Sequence, residues 1–394
     1  MSELIYLDNA ATTWPKPDIV HERMSQFYRE FGVNPGRSGY DKAMEAEQVI
    51  HSCRSRLSKF FGGTDPNRLV FAYNATDALN QVIQGVLKDG GHAITTNLEH
   101  NSVLRPLYHL AMRDDIEVTI LPFDRDGFVT AEQIKNAIRT DTKLVVINHG
   151  SNVIGTAQPI SEIGAVCHTH KVFFAIDASQ TAGVLPIDMQ TMYIDAVCFT
   201  GHKSLFGPTG IGGICVAEDA VIESTKWGGT GVKSAQRTHL EEYPYRLEAG
   251  TMNTIGIAGL LAGQEFIESR GGVDAIHKQE MDLTDRLWRG LKDIDEVEIY
   301  CAESLDNHLP VLSVNVKGFE AGNVGMMLDV DHDIATRTGL QCAPLVHEQI
   351  GTDKLKGTVR FSIGAFNTEE HIDAAVKGMK DVVKMVKNIA IPVS

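Results

Sequence analysis

Short apolar runs alternate with helical stretches along the first two thirds of the chain, and several of the runs are rich in Val and Ile. The seven apolar runs occupy residues 69–73, 93–95, 118–122, 144–148, 173–177, 196–199 and 213–216. The helical stretches between them include residues 77–87, 102–113, 130–138 and 160–168. Such alternation is typical of a mostly parallel sheet with helices on both faces. We therefore predict an α/β fold whose large domain contains a mostly parallel seven-stranded sheet.

The pattern changes after residue 253. Two long helices are predicted at 255–268 and 273–291, strand-like runs follow them, and a closing helix is predicted at 369–387. We interpret this part of the chain as a smaller α+β domain that also includes the N-terminal arm. The predicted division places residues 16–255 in the large domain and residues 1–15 and 256–394 in the small domain.

The composition constrains function more than fold. The 394 residues include 36 basic and 51 acidic side chains, and the net charge of -15 argues against a general nucleic-acid binder. No apolar run reaches the roughly 18 residues of a membrane span, and residues 1–13 lack the pattern of a signal peptide. The six cysteines are scattered without metal-type spacing. We expect a cytoplasmic protein with reduced thiols and with no metal, membrane or nucleic-acid partner.

One lysine follows an apolar run at the edge of the sheet where ligands bind in α/β proteins. Lys203 lies in the segment TGHK (200–203), directly after the run at 196–199. A buried lysine amine with a lowered pKa reacts readily with aldehydes. Lys203 is therefore a candidate anchor for an aldehyde cofactor, and the alternative is an ordinary surface lysine in a loop.

Three more polar groups follow predicted strands, and each has two interpretations. Asp177 either binds a protonated ring nitrogen or caps the next helix. His100 either stacks on an aromatic cofactor or caps a helix. The segment NATD (74–77) either binds a phosphate at a helix N-terminus or is a plain helix cap. Together with Lys203, the first interpretation of each group matches the requirements of pyridoxal 5'-phosphate (PLP).

Over nearly its whole length the sequence resembles the class V aminotransferase family of fold-type I PLP-dependent enzymes. Within that family it is similar to the cysteine desulfurases, more to the Suf-type and selenocysteine-lyase-like branch than to the Isc-type. The resemblance rests on the segments YLDNAAT (6–12), EHNS (99–102), SNVIG (151–155), DASQ (177–180), TGHK (200–203), EAGT (248–251) and RTGLQCA (337–343). It implies the fold type I architecture of PLP-dependent transferases.

The resemblance also implies how PLP is bound. Lys203 would form the Schiff base, Asp177 would face the pyridinium nitrogen, Gln180 would lie beside the ring hydroxyl, and His100 would stack on the ring. The phosphate would be held by a larger set, namely Ala75, Thr76, Thr200 and His202. Thr251 matches a residue that reaches the phosphate of the other subunit's cofactor, which implies a homodimer.

For the substrate, the resemblance implies that Asn152 and Arg360 hold the carboxylate, an arginine being able to bind both oxygens at once. It also implies substrate contacts from Arg337, Asn9 and Ala10. Cys342 occupies the position of the desulfurase nucleophile, and the neighbouring turn signals favour an exposed loop for it. The expected catalytic residues are therefore Lys203, Cys342 and His100.

Two departures from the family pattern bear on this expectation. Leu340 and Gln341 stand where the Suf-type branch commonly has histidines, and Met252 replaces a frequent proline. The first departure leaves open how the Cys342 thiol is activated and whether sulfur or selenium is preferred.

The predicted function is a cysteine desulfurase that converts L-cysteine to L-alanine and leaves a persulfide on Cys342. The sulfur would pass to a protein acceptor in iron–sulfur cluster or other thio-cofactor synthesis. The alternatives are a selenocysteine lyase acting on L-selenocysteine, another class V enzyme such as an aminotransferase or epimerase, and a non-catalytic dimeric scaffold.

Overall fold

The computed structural model of the chain describes residues 4–35 and 40–390. Its strands are β1 (Ile5–Tyr6), β2 (Leu69–Ala72), β3 (Gly91–Thr96), β4 (Ile116–Leu121), β5 (Thr142–Asn148), β6 (Phe173–Asp177), β7 (Ala196–Thr200), β8 (Gly212–Val216), β9 (Val297–Ile299), β10 (Val311–Val316), β11 (Ile334–Ala335), β12 (Arg337–Gly339) and β13 (Thr358–Ser362). Its α-helices are α1 (Asp18–Phe31), α2 (Asp41–Phe60), α3 (Ala75–Val86), α4 (Asn101–Ala111), α5 (Ala131–Ala137), α6 (Ile160–His170), α7 (Thr254–Ser269), α8 (Val273–Lys292), α9 (Ala321–His332), α10 (Pro344–Ile350) and α11 (Glu369–Ala390).

The largest sheet of the described chain has seven strands in the order β2-β8-β7-β6-β5-β3-β4. Strands β3, β4, β5, β6 and β7 run parallel to one another, whereas β8 runs antiparallel to both β7 and β2. The predicted α/β architecture with a mostly parallel seven-stranded sheet is therefore confirmed. The antiparallel pair at one edge follows from the short connection between β7 and β8, because a parallel connection needs a longer crossover.

Successive side chains of the central strands enter two separate apolar cores, one on each face of the sheet. On β7, Val197 and Phe199 belong to one core, and Ala196 and Cys198 belong to the other. All five residues of this strand are buried. This burial on both faces explains why the sequence shows continuous apolar runs here and no alternation of polar and apolar residues.

A second sheet of four antiparallel strands, in the order β12-β13-β10-β9, has a core of its own. Strand β1 of the N-terminal arm pairs with β11, and Leu7 lies in this second core. Ile257 and Leu260 of α7 pack in the core of the large sheet. The division of the chain at residues 15 and 255 stays a prediction.

Two helices of the second part of the chain, α9 and α10, were not predicted from the sequence. Both helices flank β12, and α10 begins directly after Cys342 and Ala343. Among the described residues, no helix combines the length and the apolar character that a membrane crossing requires.

Candidate active site

The carboxyl ends of β5, β6 and β7 open onto a cavity of about 370 Å³. Asn148 pairs with Asp177 across β5 and β6, and Asp177 pairs with Cys198 across β6 and β7, so the three strands end side by side. Most of the residues predicted from the sequence line this cavity: Ala10, Ala75, Thr76, His100, Asn152, Asp177, Gln180, Thr200, His202, Lys203, Arg337, Cys342 and Arg360. Residues from both predicted domains therefore meet at one site.

Lys203 lies in a compact turn that follows β7. The turn is closed by a backbone hydrogen bond of 2.8 Å from the amide of Phe206 to the carbonyl of Lys203. Burial lowers the pKa of Lys203 from 10.5 to about 8, Arg360 acts in the same direction, and Asp177 opposes them. A substantial fraction of the amine is therefore neutral near pH 8, which a nucleophile for aldehydes requires.

Asp177 is 5% exposed at the end of β6. One of its carboxylate oxygens accepts hydrogen bonds from the amide of Ser179, at 2.9 Å, and from the Ser179 hydroxyl. Gly183, at φ +91°, lets this turn touch the Lys203 turn, because an added Cβ would lie 2.1 Å from the Ser204 carbonyl oxygen. Residues 178–195 are all described and contain no helix, so Asp177 is not a helix cap.

The N-terminus of α3 forms another wall of the cavity. Asn74 is the helix cap, since its side-chain oxygen accepts a 3.0 Å hydrogen bond from the amide of Asp77. The first amides of any helix lack intrahelical acceptors, and those of α3 belong to Ala75 and Thr76. The Thr200 hydroxyl is buried and has no partner within the described part of the chain. The amides at a helix N-terminus and a hydroxyl are groups that can donate hydrogen bonds to an anion.

Two histidines of the cavity are held in neutral forms. His100 caps α4, because its Nδ1 accepts a 3.0 Å hydrogen bond from the amide of Ser102, and the Ser102 hydroxyl lies 2.7 Å from that of Thr76. His202 Nδ1 lies 3.0 Å from the hydroxyl of Thr12. Burial lowers the pKa of His100 and lowers that of His202 to about 4. His100 is therefore a helix cap that also lines the cavity, and its stacking on a cofactor ring stays a prediction.

Arg360 of β13 is a buried cation at the opposite wall, only 3% exposed. Its guanidinium donates to a carboxylate oxygen of Asp8 at 2.7 Å and to the carbonyl of Asn152 at 2.9 Å. Burial lowers its pKa, and Asp8 opposes that shift. Arg337 lies directly opposite Arg360 in the β12–β13 register. Among the ion pairs of the described residues, Asp8 pairs with Arg360 alone, so the two arginines leave positive charge for an anionic ligand.

Gln180 and Ala10 meet where the N-terminal arm joins the cavity. The Gln180 side-chain amide donates a 3.0 Å hydrogen bond to the carbonyl of Ala10, and the amide of Ala10 donates to the Ser362 hydroxyl at 2.9 Å. Asn9 does not line this cavity. Its side chain is buried and donates to the carbonyl of Ser362 and to the side-chain oxygen of Asn367.

Cys342 is the one exposed thiol among the six cysteines, all of which lie in the described part of the chain. It lies between the 370 Å³ cavity and an outer groove of about 430 Å³. The outer groove is lined by Thr76, Asn80, Gln84, His100, Asn101, Ser102, Arg105, Pro106, His109, Leu110 and Cys342. In contrast, burial raises the pKa of Cys53, Cys167 and Cys215 to about 12.

Thr251 is also outside the 370 Å³ cavity of its own chain. It is exposed and lines a separate small cavity with Tyr73 and Asp77. Its segment is fixed at one end by Glu248, which forms a two-point ion pair with Arg54 at 2.8 and 3.0 Å.

Sequence reasoning assigned no role to several residues that shape the site. Asp8 pairs with Arg360, and Ser102 links His100 to Thr76. Glu99 is fully buried and accepts a 3.1 Å hydrogen bond from the amide of Asn148. Asp8 could have been found, because it follows the apolar run of the arm as Asp177 follows its strand. Gln341 was noted only as a departure from the family pattern, and no local signal indicates that it is buried next to Cys342.

The cavity combines four kinds of chemical group. It offers an anion site at α3 and Thr200, a buried carboxylate at Asp177, a partly neutral amine at Lys203 and a second anion site at Arg360. An exposed thiol stands where the cavity meets the outer groove. These groups suit a phosphorylated aldehyde cofactor together with a substrate that has a carboxylate.

A family model matches nearly the full length of the chain. The model described as aminotransferase class-V matches residues 5–375. Two curated relatives are similar over nearly the whole chain. A probable cysteine desulfurase of Methanothermobacter thermautotrophicus is 30% identical over 97% of this chain and 95% of its own length. The cysteine desulfurase IscS of Clostridium botulinum is 31% identical over 99% of this chain and 97% of its own length.

A solved structure is similar in fold as well as in sequence. The apo structure of the cysteine desulfurase from Thermococcus onnurineus NA1 superimposes with a TM-score of 0.90. It is 32% identical, and the match covers 97% of this chain and 95% of that chain.

Proposed function

This chain belongs to the aminotransferase class-V family, and we propose that it is a PLP-dependent cysteine desulfurase. Its fold is that of the fold-type I PLP-dependent enzymes. The resemblance to cysteine desulfurases found in the sequence is confirmed, and the assignment to the Suf-type branch stays a prediction. One observation supports the activity most directly, namely that a partly neutral lysine and an exposed cysteine share one cavity.

The residues of the cavity fit PLP. The Thr200 hydroxyl is buried, has no hydrogen-bond partner among the described residues and lines the same cavity as the N-terminus of α3, which suits a phosphate. Asp177 is a buried carboxylate at a strand end, which suits a protonated pyridine nitrogen. In this proposal Ala75, Thr76, Thr200 and His202 hold the phosphate, Gln180 lies beside the ring hydroxyl, and His100 stacks on the ring.

Bound PLP supplies an aldehyde for amines and a ring that accepts electrons from the substrate's Cα. Lys203 anchors the cofactor in the resting enzyme, and its amine takes the Cα proton once the substrate is bound. Burial supports this role, because it keeps much of the amine unprotonated near pH 8. Asp177 holds a proton on the ring nitrogen through its negative charge.

The substrate is proposed to be oriented by its carboxylate. Arg360 and Asn152 hold this group, and Arg337 supplies a second positive charge at the exposed side of the cavity. Asn9 and Ala10 contribute through the turn of the N-terminal arm, which Gln180 ties to the large sheet. A carboxylate fixed at Arg360 limits where the substrate's side chain can lie.

The Cys342 thiolate is the proposed nucleophile. It attacks the substrate sulfur, the S–S bond forms, and the bond from the substrate's Cβ to sulfur breaks. The electron pair of the broken bond stays with Cβ, which takes up a proton and becomes the methyl group of alanine. Alanine leaves, and Cys342 keeps the sulfur as a persulfide. The exposed position of Cys342 next to the outer groove supports later transfer of that sulfur to a protein acceptor thiol.

The assembly and location belong to the same proposal. Thr251 is exposed and lies outside its own cavity, which supports a homodimer in which it reaches the partner's cofactor phosphate. All six cysteines are unpaired, which supports a reducing compartment such as the cytoplasm.

The proposal is tested by replacing the thiol. In Cys342→Ala we expect alanine release from L-cysteine to fall by about 10³-fold or more, because the nucleophile is gone. Cofactor absorbance should persist, since Lys203 is intact. Cys301→Ala, at a half-buried cysteine outside the cavity, is the control and should keep wild-type turnover.

Two outcomes would contradict the proposal. Wild-type turnover in Cys342→Ala would exclude the persulfide route. A purified protein that shows no visible absorbance sensitive to borohydride would exclude PLP. A large preference of the wild type for L-selenocysteine over L-cysteine would favour a selenocysteine lyase.

A further inference from the structure

The turn that contains Cys342 has an unusual backbone. Gln341 has a φ of +41° and Cys342 a φ of +58°, so two consecutive residues with side chains lie in the left-handed region. Such a conformation is strained for a residue with a side chain and persists only where the surroundings hold it. The turn therefore needs anchors, and the structure provides them on both residues.

The Gln341 side chain is one anchor. It is buried, and its amide group donates a 2.9 Å hydrogen bond to the carbonyl of Thr358. Its oxygen accepts a 2.8 Å hydrogen bond from Nε2 of His347 in α10. His347 Nδ1 in turn accepts from the Thr352 hydroxyl at 2.8 Å. We call these four residues, Gln341, His347, Thr352 and Thr358, the Gln341 network.

The main chain of the turn is anchored at two further points. The Gln341 carbonyl accepts a 2.7 Å hydrogen bond from the side-chain amide of Asn152, and the Cys342 carbonyl accepts one of 2.7 Å from the amide of Asn101. Asn152 also contacts Arg360 through its own carbonyl. The turn is therefore tied to the proposed carboxylate site on one side and to the start of α4 on the other.

A glutamine has no titratable proton in the physiological range, so Gln341 cannot act as a base for the neighbouring thiol. His347 is fully buried, and burial lowers its pKa to about 4, which keeps it neutral as a donor to Gln341. The chemistry of the Gln341 network is thus limited to holding geometry.

We infer that Gln341 is a positioning residue that fixes the left-handed turn so that the Cys342 thiol stays at the boundary between the cavity and the outer groove. This inference rests on the proposed function of Cys342 as the nucleophile. In this inference Gln341 affects the step in which sulfur moves from the substrate to the thiol, and it takes no part in cofactor or substrate binding.

The test compares Gln341→Met, which keeps the length of the side chain and removes its hydrogen bonds, with Leu340→Met on the same turn. Leu340 is 43% exposed and serves as the matched control. In the Gln341→Met holoenzyme we expect kcat for alanine release to fall about 10- to 100-fold, because displacement of a reacting group by about 1 Å has effects of this size. KM should match that of wild type, and so should the change in cofactor absorbance when L-cysteine is added.

A second readout observes the thiol without turnover. Iodoacetamide should alkylate Cys342 faster in Gln341→Met than in wild type, because the released turn exposes the sulfur more often. Thr352→Val, which breaks the far end of the Gln341 network, should change kcat and alkylation in the same directions but less.

Three outcomes separate the possibilities. Unchanged kcat and unchanged alkylation in Gln341→Met would overturn the inference. A variant in which the cofactor absorbance no longer changes on adding L-cysteine, KM rises and kcat falls together would also overturn it. Such a combined loss indicates a general structural role for Gln341. If the wild type releases no alanine, the proposed function fails, and the alkylation rates alone then decide whether Gln341 positions the thiol.

Discussion

At the scale of single residues, the amine of Lys203 has the property on which the proposed chemistry depends. Its pKa is lowered to about 8, chiefly by burial. Below that pH the amine is protonated and does not attack an aldehyde, and above it the neutral form predominates. The rate at which apoprotein captures PLP should therefore rise with pH up to about 8 and then level off.

Stopped-flow absorbance after mixing apoprotein with PLP measures this rate. Lys203→Ala is the control and should show no borohydride-sensitive absorbance. A rate that continues to rise toward pH 10, as for an ordinary surface lysine, would contradict the environment of Lys203 described above.

Glu280 is a second residue whose environment has a measurable consequence. It is 2% exposed, one of its carboxyl oxygens has no partner in the described chain, and burial raises its pKa from 4.5 to about 8. Between these values the folded state keeps a proton that the unfolded state releases. Glu280 therefore lowers stability as pH rises through this window, by up to about 1.4 kcal/mol per pH unit.

We predict that Glu280→Gln flattens the decrease in stability over this pH window, because the amide has no proton to release. Urea midpoints of the holoenzyme across the window measure the effect. Glu22→Gln, at an exposed position, should leave the wild-type slope unchanged. An identical slope in Glu280→Gln would show that Glu280 is ionised in the folded protein.

At the scale of elements, the segment 248–251 is held to the large domain by one buried ion pair. Arg54 of α2 and Glu248 have side chains that are only 7% and 9% exposed. Glu248 also accepts a 2.7 Å hydrogen bond from the amide of Phe71 on β2, and the Arg54 guanidinium lies 4.7 Å from the centre of the Phe71 ring. The pair thus joins a helix, a strand and the segment with Thr251.

We predict that Arg54→Met destabilises the protein by about 3–5 kcal/mol, because it leaves the Glu248 carboxylate buried without its cation. Urea unfolding measures this. Replacing both partners by Met should cost less than the sum of the single changes. Lys278→Met, which removes an exposed pair with Asp282, should have little effect, and an equal loss there would refute the argument from burial.

Helix boundaries were predicted best where an apolar face is regular. Helix α8 begins at its predicted residue and extends one residue beyond its predicted end. Helix α9 was missed because Gly322 and Gly325, both poor helix formers, interrupt its pattern. Its helical form comes from packing, since a Cβ on Gly325 would lie 2.3 Å from the Thr338 side chain of β12.

At the scale of the whole molecule, the proposed dimer gives a prediction that a monomer does not. Thr251→Val should weaken PLP binding about 10- to 100-fold, because a hydrogen bond to a charged group is lost. Co-expression of Lys203→Ala and Thr251→Val chains with different tags then gives a heterodimer. One of its two sites should combine an intact Lys203 with an intact Thr251 from the other chain.

Activity of the purified heterodimer at limiting PLP measures this complementation. We expect more activity than in either homodimer of variants. If Thr251 acted within its own chain, the heterodimer would show only the mean of the two homodimers.

The alternation of apolar runs and helical stretches was sufficient to predict the half of the candidate site that lies at the edge of the large sheet. Asp177, Thr200 and Lys203 each follow an apolar run, and parallel strands of one sheet end at a common edge. Their meeting in one cavity follows from that geometry alone. His100 and the start of α3 follow by the same rule, since each lies between a strand and the next helix.

The other half of the site depended on tertiary structure. Asp8 belongs to the N-terminal arm, Arg360 to the second sheet and Cys342 to the turn after β12. No local pattern states how that sheet faces the first. Their placement is set by contacts between residues far apart in the chain, such as the hydrogen bond from Asn152 to Gln341. The sequence by itself therefore determined the sheet, its binding edge and the lysine there, because these depend on local periodicity. Only the packing of the two sheets decided where the thiol lies and what holds it.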